Sequence, residues 1–150
     1  MFAINALTPR QTALFICRWV LGLLFAMAGW WKVFELGALE HARQFFVQGF
    51  AESWIPEWLL WALGSFIPYL ELVAGLLILL GLKLRWALTA VGLLLIVTTY
   101  GHALQQPLFN IDGHTFTRLA LIVLLLMGDQ GHDWTRADFW LERRASPAAV

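Results

Sequence analysis

Glu71 lies in the interior of a membrane-length apolar stretch at residues 57–81. A helix that crosses a hydrocarbon core of about 30 Å needs about 20 apolar residues, and this stretch is long enough. A charge at that depth costs about 2.5–3.5 kcal/mol, so an ionisable group there normally faces the interior of a helix bundle and has a partner. The sequence therefore predicts that Glu71 is buried against a cation from another span.

Depth along the helices favours Arg18, in the first apolar span, as the partner of Glu71. Arg18 lies about six residues, and Glu71 about ten, from the same predicted side of the membrane. The difference of roughly 6 Å can be closed by long side chains and ordinary helix tilt. Such a pair could be a buried ion pair that fixes helix register. It could also be the polar wall of a ligand pocket, or involve Glu71 in proton handling.

A second group of polar side chains is expected at the opposite end of the bundle, from spans one, three and four. Its members are Lys32, Tyr100, His102, Asp112, His114 and Arg118. Cations and a histidine that titrates near neutral pH suit the oxygens of a quinone head group or a small oxyanion. We predict that Lys32, Tyr100, His102 and Arg118 contact such a ligand. Alternatively, Lys32 and Arg118 extend to lipid head groups.

Metal chemistry has weaker support in the same region. Asp112, His114 and the distant His102 match zinc or copper ligation only loosely, because helical spacing supplies no further ligand. A haem would need a second histidine at membrane depth, opposite His102. We therefore expect neither a metal nor a haem.

Composition sets the class of protein. Of 150 residues, 60% are hydrophobic and 13% charged, which is typical of a single integral membrane domain. The formal net charge of zero gives no reason to expect a nucleic-acid partner. Cys17 is the one cysteine of the chain, so neither an intramolecular disulfide nor a paired-thiol relay is possible within it.

The apolar segments that must position these residues predict an all-α, integral membrane four-helix bundle. The expected spans are residues 12–34, 57–80, 86–106 and 114–128, within one domain at residues 1–145 followed by a disordered tail at 146–150. The polar, aromatic-rich segment 35–56 is expected to form an amphipathic helix at the interface or to cap the bundle. Lysine and arginine counting places both termini in the cytoplasm, with residues 35–56 and the loop 107–113 outside.

Three motifs together resemble the DoxX family of small four-helix membrane proteins. They are R-x3-G-x2-F-x3-G-x2-K from Arg18 to Lys32, P-x2-E-x3-G from Pro68 to Gly75, and the turn Gly81–Arg85. The resemblance covers roughly residues 12–128, and MauE-like proteins share a similar four-span plan. It implies a quinone-linked redox or accessory role in a bacterial inner membrane, as in the DoxD-type subunit of thiosulfate:quinone oxidoreductase. The stretch Phe109–His114 departs from the DoxX pattern, so ligand identity does not carry over.

The expectation is therefore an inner-membrane subunit that interacts with quinone and lipid and works with partner proteins, with a homo-oligomer as a further possibility. No redox centre is encoded, so electrons would have to come from a partner or a soluble substrate, and whether the chain is itself catalytic stays open. One alternative is a non-catalytic scaffold that assembles partner proteins through segment 35–56. Another is a small-solute or proton pathway through Glu71.

Overall fold

The computed structural model describes residues 8–106, 115–128 and 134–145. Regular structure in these ranges is entirely helical, which confirms the predicted all-α membrane bundle. The α-helices are α1 (Pro9–Trp30), α2 (Ala38–His41), α3 (Glu57–Leu80), α4 (Leu84–Gln105), α5 (Thr117–Met127) and α6 (Ala137–Ala145). Wider, π-helical winding forms π1 (Trp31–Glu35) and π2 (Ala42–Val47), and it also covers residues 115 and 116, directly before α5. The predicted loop 107–113 and tail 146–150 lie outside the described residues.

Three helices are long and apolar enough to cross a membrane: Pro9–Glu35, Glu57–Leu80 and Leu84–Gln105. The first joins α1 and π1 without a break. The predicted fourth span corresponds to α5, whose 11 residues rise about 16 Å, which is less than a full hydrocarbon core. Its apolar side chains pack on α1 and α4, so α5 completes the bundle.

Local signals in the sequence fix where the long helices start and stop. Thr8 and Gln11 form a capping box at the start of α1, with Pro9 in the first helical position. Gly81 ends α3 in the left-handed conformation at φ 64°, which a glycine adopts without strain. The start of α4 is held by α6, because the Asp138 carboxylate accepts hydrogen bonds from the backbone N–H groups of Lys83 and Leu84, at 3.0 and 3.3 Å.

Small residues allow α1 and α3 to pack as close antiparallel neighbours. A Cβ added to Gly29 would lie 2.3 Å from the backbone nitrogen of Leu72, and one added to Gly75 would lie 2.3 Å from that of Ala26. The two backbones are therefore almost in contact. Such close approach is how membrane helices associate where no hydrophobic driving force acts between them.

The segment between the first two long helices packs against the bundle. Ala42, at the start of π2, lies so close to Gly64 of α3 that a Cβ on Gly64 would come within 2.6 Å of the Ala42 Cα. Farther along, the Gln105 side chain at the end of α4 donates a hydrogen bond of 3.0 Å to the Gly49 carbonyl. Gly64 lies about 10 Å from the start of α3. The segment between the first two long helices therefore reaches into the bundle as well as covering its end.

The core runs between α1, α3, α4 and α5, and many large apolar side chains face outward. Leu21, Ile78, Val91 and Leu125 are at most 1% exposed. On the outer surface the exposed apolar residues include Met27, Val73, Leu93, Ile96 and Met127. An apolar exterior around a packed interior is the arrangement expected of helices surrounded by lipid.

Candidate functional site

Glu71 is paired with Lys32. The Lys32 Nζ donates to the Glu71 Oε2 at 2.6 Å, with 21% of the lysine side chain and 7% of the glutamate side chain exposed. Lys32 belongs to π1, where the wider winding continues α1 beyond Trp30, and Glu71 follows the buried Pro68 of α3 by one turn. Helical segments of the π type often occur at functional sites. The pair satisfies a carboxylate that would be costly if left alone at this depth.

The predicted pair between Arg18 and Glu71 is wrong. The packing register places Gly22 of α1 beside Leu79 and Gly29 beside Leu72. On that register Glu71 lies opposite residue 30, which is about 12 residues or 18 Å along α1 from Arg18. The prediction took both helices to end at the same membrane plane. In the structure α1 begins about twelve residues beyond the level at which α3 ends.

Arg18 instead binds the end of α3. Its guanidinium donates to the backbone carbonyls of Ile78, at 3.3 Å, and Leu79, and to the hydroxyl of Thr135, at 2.9 Å. The last carbonyls of a helix have no partner within that helix, so a fully buried arginine can cap them. Because Thr135 precedes α6, Arg18 also ties the C-terminal helix to α3. Its role here is architectural.

A small polar cavity adjoins the Lys32–Glu71 pair. Its volume is about 90 Å³, and its lining comprises Phe25, Lys32, Glu71, Leu94, Leu95, Thr98, His102, Thr115 and Arg118. The structure thus brings together three of the four residues predicted to contact a ligand: Lys32, His102 and Arg118. Tyr100 is not among the lining residues and is 52% exposed. Asp112 and His114 lie outside the described residues. Ligand binding itself stays a prediction.

The positive side chain of Arg118 reaches this cavity from α5. Its guanidinium carbon lies 5.7 Å from the centre of the Phe25 ring, within the range of a cation–π contact. Nearby, the hydroxyls of Thr99 and Thr115 are 3.5 Å apart and connect α4 to the residues before α5. Four helices, α1 with π1, α3, α4 and α5, therefore supply the cavity wall, which makes its shape depend on the packing of the whole bundle.

Sequence reasoning missed His41. This residue of α2 is 4% exposed, and its Nδ1 lies 2.8 Å from the Gly64 carbonyl of α3. Burial lowers the pKa of the His41 imidazole below its ordinary value, although the contact with Gly64 opposes that shift; Lys32 lowers the pKa further and Glu71 raises it. One signal was present in the sequence, since Gly64 interrupts an otherwise bulky apolar stretch and leaves room for a neighbouring side chain.

A larger cavity of about 640 Å³ lies at the other end of the bundle, between α4, α5 and the residue before α6. Its wall combines leucines of α4 and α5 with the polar side chains of Arg85, Thr89 and Arg136. Arg136 forms an ion pair of 3.2 Å with Asp138, the residue that caps α4. This cavity therefore adjoins the contacts that attach α6, and it is separate from the Lys32–Glu71 pair.

Fold and site together define a helical membrane protein with a charged pair and a small polar cavity inside its bundle. Residues 10–109 match the family model of methylamine utilisation protein MauE, and the chain belongs to the MauE family. The assignment to DoxX is wrong, because the family model that the chain matches is MauE, a different membrane family. Membership of the MauE family gives the chain a membrane accessory role. No curated protein matches the chain, and no solved structure does.

Proposed function

We propose that this protein assists the maturation of a methylamine dehydrogenase, acting in the membrane as a non-catalytic accessory to partner proteins. The observation that carries the proposal is the MauE match, which spans two thirds of the chain and includes α1 to α4. The alternative of a scaffold that assembles partner proteins is thereby favoured over a quinone-linked oxidoreductase subunit.

The structure supports an accessory role through its rigid frame and one exposed aromatic region. Close packing of α1 on α3 and the Lys32–Glu71 pair hold the two helices in one register. The segment between them exposes large apolar side chains at Leu39, Phe45 and Trp54, of which Trp54 is 76% exposed. Aromatic side chains are enriched at protein interfaces and at membrane surfaces, so this region is where we expect a partner to bind.

The expected location is the bacterial inner membrane, with both termini in the cytoplasm. The support is the distribution of lysine and arginine, which concentrates near the Gly81–Arg85 turn and the two termini. Reporter fusions test it: a fluorescent protein that folds only in the cytoplasm should be active at either terminus. A periplasmic phosphatase fused after α2 should be active there.

Deletion and complementation test the proposed function. Removing the gene from its host should abolish mature methylamine dehydrogenase, and a plasmid copy should restore it. Trp54→Ala should lower the yield of mature enzyme, whereas Trp86→Ala should not, since Trp86 is equally exposed, at 76%, but lies at the opposite end of the bundle. Immunoblots of membranes must show equal amounts of each variant. Full enzyme maturation in the deletion strain would refute the proposal.

Quinone remains a proposed ligand of the cavity and needs a separate test. Its support is the grouping of Lys32, His102 and Arg118 around about 90 Å³, a space below the roughly 300–1,000 Å³ of common ligand pockets. At most the oxygen end of a head group would therefore enter. Mass spectrometry should find quinone co-purified with the wild type and absent from a folded Lys32→Ala/His102→Ala variant. Equal quinone in both would exclude this site.

A further inference from the structure

Among the described residues, the charges that line the small cavity do not balance. They comprise one carboxylate, Glu71, and two cationic side chains, Lys32 and Arg118, beside the imidazole of His102. The carboxylate is already taken, because Glu71 accepts from Lys32 at 2.6 Å. The pair is neutral as a unit, so Arg118 adds one positive charge to a space enclosed by the bundle.

Arg118 lacks a carboxylate partner in the described part of the chain. No carboxylate within residues 8–106, 115–128 or 134–145 lies within ion-pair distance of its guanidinium. Its contact is the Phe25 ring face, at 5.7 Å. An arginine side chain stays protonated at any physiological pH, so it cannot escape the cost of partial burial by losing its charge.

A partly buried guanidinium that lines a polar cavity is stabilised by an oxyanion within hydrogen-bond distance of it. Arg118 therefore favours a negative group in this cavity.

We propose that the cavity binds one oxyanion group, a carboxylate or a phosphate, with Arg118 as its principal donor. The volume of about 90 Å³ is roughly that of three water molecules in the liquid, enough for a single such group. The planar guanidinium can donate two parallel hydrogen bonds to an oxyanion, which a lysine cannot do. Lys32, held by Glu71, stabilises the anion at longer range. The proposal is independent of the maturation role, and it is an alternative to quinone as the occupant of this cavity.

Either a soluble anion or a lipid head group can supply the oxyanion, and binding assays on the whole purified chain separate the two. The protein is prepared in a neutral detergent and phosphate-free buffer at constant ionic strength. Inorganic phosphate and acetate probe a soluble ligand, and phosphatidylglycerol added to phosphatidylcholine nanodiscs probes a head group. The thermal unfolding midpoint is followed against probe concentration, and native mass spectrometry counts bound lipid.

The variants Arg118→Gln and Arg85→Gln form a matched pair. Arg85 is an exposed cation at the opposite end of the bundle, so its loss changes net charge equally without touching the small cavity. At least one probe should raise the midpoint saturably in the wild type and in Arg85→Gln. In Arg118→Gln the concentration for half-saturation should rise at least tenfold. Saturation by a soluble probe identifies a small anion, and saturation by phosphatidylglycerol alone identifies a head group.

The proposal is overturned if no probe saturates, or if all three proteins respond equally, as a general salt effect would require. Far-UV circular dichroism and gel filtration establish that each variant is folded. Should Arg118→Gln fail to fold, Arg118→Lys decides the matter, since it keeps the charge and loses the planar fork. It should bind the effective probe at least threefold more weakly than the wild type, and unchanged binding would overturn the proposal.

Discussion

Adding one methyl group to Gly29 should separate α1 from α3. The new Cβ would lie 2.3 Å from the Leu72 backbone nitrogen, whereas ordinary contact begins at 3.4 Å, so the helices must move apart by at least 1.1 Å. The obstacle is backbone, which cannot rotate away as a side chain could. Lys32 and Glu71 lie within one turn of this contact, so their 2.6 Å hydrogen bond would lengthen by a similar amount.

These effects predict a net loss of stability for Gly29→Ala. Forcing an extra methyl group into a packed interface costs about 1–3 kcal/mol. Weakening the bond between Lys32 and Glu71 adds about 1 kcal/mol. Replacing glycine by alanine inside a helix returns at most about 1 kcal/mol. The variant should therefore unfold with a free energy about 1–3 kcal/mol below that of the wild type.

Gly92→Ala is the matched control. A Cβ at Gly92 would meet only the Ile122 Cγ2, at the ordinary distance of 3.8 Å, so the alanine should be neutral or stabilise by up to about 1 kcal/mol. Both variants are unfolded reversibly in mild detergent with added dodecyl sulfate, and helix content is followed by circular dichroism. Shifts of equal sign and size would refute the argument, because they would show that alanine acts through helix propensity alone.

Three further predictions concern buried polar groups. Lys32→Met should destabilise by about 2–4 kcal/mol by leaving the Glu71 carboxylate unpaired, and Lys32→Met/Glu71→Gln should recover more than half of that loss in the same unfolding assay. Because burial lowers the pKa of His41, the unfolded chain takes up a proton below about pH 6.5 that the folded chain does not. Stability should fall between pH 7 and 5, by at most about 1.4 kcal/mol per pH unit, and His41→Gln should lack this component. Arg18→Lys should loosen the contact with Thr135, seen as several-fold faster tryptic cleavage near α6 with the bundle still folded.

The fold was predictable because its main determinant is local. The length of the apolar segments and the small residues at Gly22 and Gly29 suffice to indicate membrane helices and the face that packs inward. The start of α1 was harder to place. Residues Pro9 to Gln11 continue the helix beyond the apolar segment through a capping box, which hydrophobicity does not reveal.

The vertical offset between α1 and α3 explains why the partner of Glu71 was assigned incorrectly. Arg18 and Lys32 lie on the same face of the first helix, so the spacing made both available to α3. Choosing between them required the vertical offset of the two helices, which depends on tertiary packing at Gly29 and Gly75. The error did not affect the grouping of Lys32, His102 and Arg118. Each of them was assigned to one end of the bundle from its position in its own span.

The burial of His41 depends on a contact that pattern reasoning cannot supply. Its segment is polar enough to indicate an interfacial helix, and Leu39, Phe45 and Trp54 are indeed exposed. However, Gly64 allows Ala42 to approach α3 closely, and this brings His41 to a backbone carbonyl. A single glycine on a different helix thus decides whether the histidine faces solvent or the bundle.

The charged residues that line the cavity come from two parts of the chain. One part lies inside the residues that match the MauE model, and the other lies outside them. Lys32, Glu71 and His102 lie within the matched residues 10–109, and they combine a neutral pair with an imidazole. Arg118 lies beyond that range, on α5, and supplies a positive charge that no carboxylate among the described residues balances. Arg118 is not needed to hold α1 against α3, since the register of these two helices is fixed by Gly29, Gly75 and the ion pair. The preference for an anion can therefore be changed at α5 without disturbing the packing of α1 on α3. For this reason Arg118→Gln should weaken anion binding in a bundle that still folds.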